Sequence, residues 1–353
     1  INRMLRFFYK TKKERQRMKS IVKRRKIWLL LFLFVGLGLW AAHGQKTEAA
    51  IVSTNHQKYT YAEYRKDLKQ LEKKYPDRCQ VNVIGRSADD RNLYEVVLGN
   101  TQAKKHLVVI ANLHAREYMT TQLCMRQLEY YLKKYNKKIS GAKVADVLDK
   151  VAIHYVPSAN PDGTAISQFG FGAIRDKSLR AALRKMPGSA LRWKANARGV
   201  DLNRNWAVAF RKGGVRGYAG FHGSKAASEP EVKALVKMVN RIEKNGQIAG
   251  VVSYHSTGSI LYGRCASNAE TKVGQVTDRM YRTAQSLTGY RLMPTESLSS
   301  AAGCSREYFL YKRDIPCITL EVGRGTCPLG IREFPSIWRK NKNVVIREAM
   351  LFD

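Results

Sequence analysis

From Tyr59 to the C-terminus, charged stretches with apolar positions at helical spacing alternate with short runs that are apolar throughout. Residues Tyr61 to Tyr75 read as an amphipathic helix, and Gln80 to Ile84 and Leu93 to Leu98 as strands. The run His106 to Leu113, HLVVIANL, reads as a strand buried on both faces. A helix is predicted over Thr120 to Lys134, then a strand over Val151 to Val156 that ends at Pro157. Ser228-Glu229-Pro230-Glu231 has the chemistry of a helix start, with Ser228 as N-cap, proline in the first turn and acids at the positive end of the helix dipole. Strands over Ile248 to Tyr254 and Ile315 to Val322 and a terminal helix from about Phe334 to Met350 complete the pattern. No Pro/Ser/Gly linker, low-complexity tract or internal repeat interrupts residues 59–353. The predicted fold class is therefore α/β: a single-domain α/β/α sandwich with a mixed, mostly buried β-sheet.

The pattern before residue 59 is different. Residues 1–26 form a basic arm, twelve Lys or Arg against the single acid Glu14, and Ile27 to Ala42, IWLLLFLFVGLGLWAA, carries no charge. A helix of that length spans roughly 24 Å, short of the hydrocarbon core of about 30 Å. The basic segment, the apolar run and the small residues Ala42 and Gly44 fit a signal peptide over residues 27–44, cleaved after Gly44. An uncleaved membrane anchor through residues 27–42 is the alternative. Either places the rest of the chain outside the cytoplasm, secreted or anchored at the cell envelope. The chain opens on Ile1 while Met18 begins MKSIVKRRK, an n-region of ordinary length, so residues 1–17 are read as lying upstream of the true start. Residues 45–58 read as a short linker.

Composition adds one constraint. Across 353 residues, 63 Lys and Arg face 28 Asp and Glu, a net +35, of which the arm supplies +11 and the remainder +24. Such a chain seeks anionic surroundings, and 44% hydrophobic residues exclude a wholly disordered one. No RRM, KH or helix-turn-helix signature accompanies the charge, so nucleic acid is not an expected partner. Six cysteines, Cys79, Cys124, Cys265, Cys304, Cys317 and Cys327, show no C-x-x-C spacing, which leaves a zinc finger without support and their redox state open.

Three polar clusters fall at or just past the carboxyl ends of predicted strands, where open α/β sheets bind ligands. They are His114-Ala115-Arg116-Glu117, Tyr254-His255-Ser256 and Glu321. A zinc hydrolase needs three protein ligands and one open position. His114 and Glu117, three residues apart where a strand turns into a helix, can converge on one metal, with His255 supplied from a neighbouring strand. Singly these signals are weak, since H-x-x-E recurs by chance and a lone histidine at a strand end is commonly a satisfied residue. Their conjunction with Gly199-Val200-Asp201-Leu202-Asn203-Arg204-Asn205-Trp206 is stronger, because an arginine fork beside an amide can clamp a carboxylate.

The pieces stand in a fixed order: HARE, Asn160-Pro161-Asp162-Gly163, GVDLNRNW, SEPE, the His255 strand and TLEVG around Glu321. Over nearly all of residues 59–353 the chain resembles the zinc carboxypeptidases, the M14 metallopeptidases. Trp193-Lys194-Ala195-Asn196-Ala197-Arg198-Gly199 and the tail Phe334-Pro335-Ser336-Ile337-Trp338 look most like the bacterial γ-D-glutamyl-meso-diaminopimelate peptidases. The resemblance implies one Zn2+ per chain held by His114, Glu117 and His255, Glu321 as general base, and Asp201 hydrogen-bonded to His114. It implies Asn203 and Arg204 on the substrate's free C-terminal carboxylate, hence an exopeptidase, with Arg116 at the neighbouring subsite. The arginine that assists the oxyanion in animal digestive members aligns with Lys194, with Arg198 as the alternative. Their mobile tyrosine falls at Ser299, with Tyr262 or Tyr308 nearby as substitutes. Arg306 falls at the base of the leaving-residue pocket, which is acidic in members selective for basic residues. A basic residue there suggests an acidic group on the substrate, such as the distal carboxylate of meso-diaminopimelate; the alternative is a surface arginine. Expected partners are peptidoglycan stem peptides or other peptides with a free C-terminal carboxylate, and anionic wall polymers. A general protein carboxypeptidase of the same mechanism and a non-catalytic basic binding protein on this fold are the competing readings.

Overall fold

The computed structural model describes residues 12, 14, 16–23, 49–263, 270–294 and 301–353. The predicted signal or anchor at 27–44, Cys265 and Ser299 lie outside the described residues. The chain divides into two compact units, Ile1–Ala50 and Ile51–Asp353. In the first, residues 16–23 are helical. Among the described residues no helix is long and apolar enough to cross a membrane.

The strands of the second unit are β1 (Cys79–Arg86), β2 (Asn92–Leu98), β3 (Lys105–Ala111), a small hairpin of β4 (Lys138–Ile139) and β5 (Ala142–Lys143), β6 (Val151–Val156), β7 (Gln247–His255), β8 (Ile260–Tyr262), β9 (Arg291–Leu292) and β10 (Cys317–Glu321). All but the hairpin join one sheet in the order β1-β2-β6-β3-β7-β10-β8-β9. Strands β6, β3, β7 and β10 run parallel, flanked by antiparallel β2 on one side and β8 on the other. The parallel strands are apolar throughout because both faces are covered. Along β3, Leu107, Val109 and Ala111 enter one core layer while Val108 and Ile110 enter the other.

The helices are α1 (Tyr61–Lys74), α2 (Met119–Lys133), α3 (Val144–Lys150), α4 (Pro161–Phe169), α5 (Lys177–Arg184), α6 (Pro230–Asn245), α7 (Lys272–Thr288), α8 (Phe334–Asn341) and α9 (Val344–Ala349). Helices α1, α2, α3, α7, α8 and α9 cover the first layer, and α6 covers the second together with Leu202, Trp206, Tyr308 and Phe309. This is the predicted α/β/α sandwich. Its entry at α1 is set by a capping box in which Thr60 Oγ1 accepts from Glu63 N–H (3.2 Å) and the Glu63 carboxylate accepts from Thr60 N–H (2.8 Å).

Several expectations shift. The N-cap of α6 is Glu229 rather than Ser228, whose hydroxyl is turned aside to donate to Glu229 Oε1 (2.7 Å). The single terminal helix is two, α8 and α9, because buried side chains of α2 take the carbonyls at the break: Gln127 Nε2 donates to Asn341 O and the Tyr131 hydroxyl to Lys342 O, both at 2.8 Å. Residues 51–58, read as linker, are docked onto the sandwich. Glu129 on α2 accepts the N–H groups of Ile51 (2.8 Å) and Val52 (3.2 Å), and Gln57 donates to Leu329 O (2.7 Å). Cys79, Cys124, Cys304 and Cys327 are buried free thiols, and Cys317 is buried.

One buried group works against this core. Glu348 on α9 is fully buried, and neither carboxylate oxygen finds a hydrogen-bond partner among the described residues. Burial pushes its carboxyl well above the usual range, against the lesser pull of Arg347. A folded-state pKa raised in this way makes stability fall as pH climbs past the unfolded value of about 4.3. Glu348→Met is expected to raise the stability at pH 7.5 by about 1–3 kcal/mol, measured as a shift in urea midpoint, and by less at pH 4. A destabilised variant, or equal gains at both pH values, contradicts this account.

Candidate active site

The carboxyl ends of β3, β6, β7 and β10 meet along one edge of the sheet, and each delivers part of a site. Strands β7 and β10 finish side by side, with His255 and Glu321 as partners in the parallel register. After β3 the chain turns through Asn112, buried at a φ of 58°, a left-handed conformation that asparagine tolerates. Its amide donates to His114 O (3.0 Å) while its carbonyl accepts from Thr164 Oγ1 (2.7 Å). After β6, Asn160 caps α4 and donates to Leu113 O (3.0 Å) and Ala195 O (3.2 Å). Gly163 allows the close approach: a Cβ there would sit 2.7 Å from Ala115 Cβ and 2.4 Å from Ala195 O. The Asn-Pro-Asp-Gly stretch therefore clamps the turn that carries His114 and Glu117.

Three donor groups converge at that turn. His114 Nδ1 lies 2.9 Å from Glu117 Oε1, His255 Nδ1 lies 3.0 Å from Glu117 Oε2, and the two Nδ1 atoms are 3.0 Å apart. All three side chains are buried. Zinc, with bonds of about 2.0–2.2 Å at tetrahedral angles, sets its donors roughly 3.3 Å apart, close to this spacing. Neighbours fix which atoms point inward. Asp201 Oδ1 lies 3.3 Å from His114 Nε2, which keeps the proton on that nitrogen and the lone pair on Nδ1. Ser256 N–H donates to Glu117 Oε2 (3.1 Å). His255 Nε2 is buried and without a partner among the described residues. Two nitrogens, one carboxylate and an open side fit a zinc ion.

The electrostatics separate two carboxylate roles. Burial raises the Glu117 carboxyl, but the charges and hydrogen bonds of His114 and His255 outweigh it and hold the group well below the usual range. Burial also opposes ionisation of Asp201, yet Lys194 and His114 keep it well below the ordinary value. Glu321 behaves differently: burial pushes it up to about 7, against the pull of His255 and Lys194 and with a push from Glu117. A carboxyl poised near neutrality can both take and return a proton.

His114, Glu117 and Glu321 line a cleft of about 480 Å³ with Arg116, Lys194 and Tyr262. Lys194 Nζ lies 3.7 Å from Asp201 Oδ2. Arg198, its sequence alternative, does not line the cleft and is instead an exposed side chain 4.0 Å from Glu229 Oε2. The Ser-Glu-Pro-Glu stretch does more than start a helix: Glu229 and Glu231 accept from Asn196 Nδ2 (2.8 and 3.1 Å), and Asn196 Oδ1 in turn accepts from Arg198 and Val200 N–H. This holds the segment from Lys194 to Asp201 against the metal-binding turn.

Asn203 and Arg204 sit on the next turn. Asn203 Oδ1 accepts from Ser305 N–H (2.9 Å) and Ser305 Oγ (3.0 Å), which commits the carbonyl and leaves the NH2 as the group able to bind a carboxylate. Ser305 was not foreseen, and only a contact across about a hundred residues reveals it. Arg204 donates to Asn203 O (3.1 Å) and lies against Cys304 Sγ. Burial pushes the Cys304 thiol up to about 12, so it sits there as a neutral group. Arg306 is not a surface residue. It is buried, its Nε donates to Glu307 Oε1 (2.7 Å), and its guanidinium stacks 5.2 Å from the Tyr262 ring centroid. Of the two tyrosines near the site, Tyr262 lines the cleft, whereas Tyr308 is buried against Trp206 with its hydroxyl accepting from Arg313 (2.8 Å).

The sequence pattern of the zinc carboxypeptidases matches residues 64–343. The chain belongs to the zinc carboxypeptidase family. It is 28% identical over 294 residues to gamma-D-glutamyl-L-diamino acid endopeptidase 1 of Lysinibacillus sphaericus, covering 80% of this chain and 70% of that protein. It is 27% identical over 248 residues to carboxypeptidase A4 of Mus musculus, covering 66% of this chain and 55% of that one. The fold matches thrombin activatable fibrinolysis inhibitor with a TM-score of 0.68 at 19% identity, covering 88% of this chain and 78% of that one. It matches the carboxypeptidase A from Helicoverpa armigera with a TM-score of 0.60 at 19% identity, covering 96% and 87%. As a zinc carboxypeptidase the chain is a metallopeptidase, a hydrolase whose family uses zinc, and among the described residues its buried His-Glu-His cluster could hold the metal.

Two variants test the zinc carboxypeptidase geometry. Asp201→Asn, which weakens the grip on His114, is expected to lower zinc affinity by about 10–100-fold in a chelator competition; unchanged affinity contradicts the role given to Asp201. Glu321→Gln is expected to keep one zinc per chain, by elemental analysis, while hydrolysis falls by about 10²–10⁴-fold. Loss of the metal with the activity would instead make Glu321 a ligand.

Proposed function

We propose that this zinc carboxypeptidase is an exported exopeptidase that hydrolyses peptidoglycan stem peptides at the γ-D-glutamyl-meso-diaminopimelate bond. The observation that carries this reading is the buried Arg306–Glu307 pair beside Tyr262, at the position that the resemblance implies for the floor of the leaving-residue pocket. Diaminopimelate ends in both a carboxylate and an ammonium, and a pair of opposite charges offers both signs to such a side chain. The similarity to gamma-D-glutamyl-L-diamino acid endopeptidase 1 points the same way.

In this reading His114, Glu117 and His255 would hold the zinc, which when bound would supply a Lewis acid able to make a water nucleophilic at neutral pH. Glu321 takes the proton from the attacking water and hands it to the leaving amine. Asn203 and Arg204 bind the free C-terminal carboxylate and fix the register, so that the last residue is released. Lys194 sets a positive charge beside the carbonyl oxygen as it becomes anionic, a point charge without the arginine fork. Export rests on the basic run Lys23 to Lys26 followed by the apolar Ile27 to Ala42, and the +24 of the remaining chain suits an anionic envelope.

The test is a comparison of L-Ala-γ-D-Glu-meso-diaminopimelate, its tetrapeptide extended by D-Ala, and an α-linked tripeptide, with products read by mass spectrometry. Release of free diaminopimelate from the γ-linked tripeptide is expected, with Arg204→Ala raising KM at least about tenfold. Cleavage of the α-linked peptide alone overturns the assignment. N-terminal sequencing of the secreted protein is expected to begin at Gln45, and a mature chain that retains residues 27–42 identifies an anchor instead.

A further inference from the structure

The cleft carries more positive charge than the chemistry above uses. Besides Lys194, three arginines line it: Arg116 between His114 and Glu117, Arg192 two residues before Lys194, and Arg324 three residues after Glu321. Only Glu117 and Glu321 oppose them among the lining residues, and Glu117 is already committed to His114 and His255. Arg192 and Arg324 are exposed and make no ion pair or side-chain hydrogen bond among the described residues. Arg116 Nε is buried and unpartnered there too. Arginines that are not needed to neutralise the protein's own acids are free to recognise an anion.

Their position in the cleft narrows which anion. The groups assigned to the leaving residue, Asn203 and Arg204, pack on the segment Gly303–Ser305 and do not line this volume. A peptide anchored there by its C-terminal carboxylate runs its acyl part past the metal ligands and into the arginine-lined part of the cleft. An acidic residue joined through its side-chain carbonyl keeps its own α-carboxylate free, separated from the scissile carbonyl by two methylenes and the α-carbon. An α-linked neutral residue has no anion at that place, and an α-linked glutamyl residue has one at the same bond separation but on its side chain, with its amide nitrogen at the carbon next to the scissile carbonyl.

We propose that Arg116, Arg192 and Arg324 form a carboxylate-recognition subsite on the acyl side of the scissile bond, which selects γ-linked acidic residues by their free α-carboxylate. This deepens the function proposed above and rests on it. Exposed single charges contribute little each, so the selectivity comes from three cations converging in a cleft that focuses their field. It is correspondingly sensitive to salt.

The test compares two substrates differing in one group: L-Ala-γ-D-Glu-meso-diaminopimelate and the same tripeptide with the glutamyl α-carboxylate converted to the carboxamide. The zinc-loaded full chain is expected to prefer the acid by at least about tenfold in kcat/KM, about 1.4 kcal/mol, and the preference shrinks as ionic strength rises. In Arg192→Ala/Arg324→Ala the ratio is expected to fall to about two or below, whereas Arg324→Lys, which keeps the charge, retains most of it. Both positions are exposed, so zinc content and melting temperature should match the parent. Equal cleavage of acid and amide by the parent, or an undiminished ratio in the double variant, overturns the subsite while leaving γ-bond hydrolysis intact. Cleavage of neither tripeptide overturns the function proposed above, and the subsite with it.

Discussion

Two imidazole nitrogens and a carboxylate held within 3.0 Å of one another in a buried site are the constraint on which the rest of the molecule depends. Without a shared cation such a cluster holds together only when protons on the imidazoles bridge to Glu117, because bare lone pairs would face one another where water cannot screen them. The protein keeps it by fixing the ligands from outside. The Asp201 carboxylate holds one imidazole, the Ser256 N–H holds the Glu117 oxygen, and the parallel register of β7 with β10 sets His255 beside Glu321. The same proximity separates the carboxylates chemically: Glu117 gains partners and stays ionised, while Glu321, buried with fewer, rises to about 7.

Holding that geometry falls largely to buried asparagines. Asn112, Asn160, Asn196 and Asn205 each donate through the amide and accept through the carbonyl, and each ties together segments that are distant in sequence. Asn205 alone donates to His222 O (2.7 Å) and Lys225 O (3.1 Å) while accepting from Glu229 N–H (3.1 Å). A buried amide stabilises only when its groups are met, so such networks specify one arrangement of loops rather than a range of them. The loops between strands can then be long and irregular while their side chains remain well placed.

This division explains what was legible in the sequence. Strands β3, β6, β7 and β10 could be read because strands covered on both faces are apolar throughout, and the polar residues at their ends stood out against those runs. The cluster His114, Glu117, His255 and Glu321 followed from that contrast. What escaped depends on partners far along the chain. The break between α8 and α9 is made by Gln127 and Tyr131 on α2, and Ser305 acquires its place only because Asn203 folds onto it. Motifs such as Asn160-Pro161-Asp162-Gly163 and Ser228-Glu229-Pro230-Glu231 were visible, but their tasks of clamping the metal turn and holding Asn196 are tertiary. Arg306 was visible too, and its Glu307 partner was not weighed, although a buried guanidinium requires one.

The donor set at the centre of this account is also the feature open to the most direct examination. Cys327 lines the same cleft, hydrogen-bonded to Ser256, so a thiolate ligand is within the chemistry the site offers; burial, with Glu117 adding to it, pushes that thiol up to about 12, which argues against its ionisation. X-ray absorption spectroscopy of the zinc-loaded full chain decides between these. The account predicts nitrogen and oxygen scatterers at about 2.0–2.2 Å, two of them imidazole, and no sulfur. A sulfur scatterer at about 2.3 Å, or a single imidazole, would contradict it.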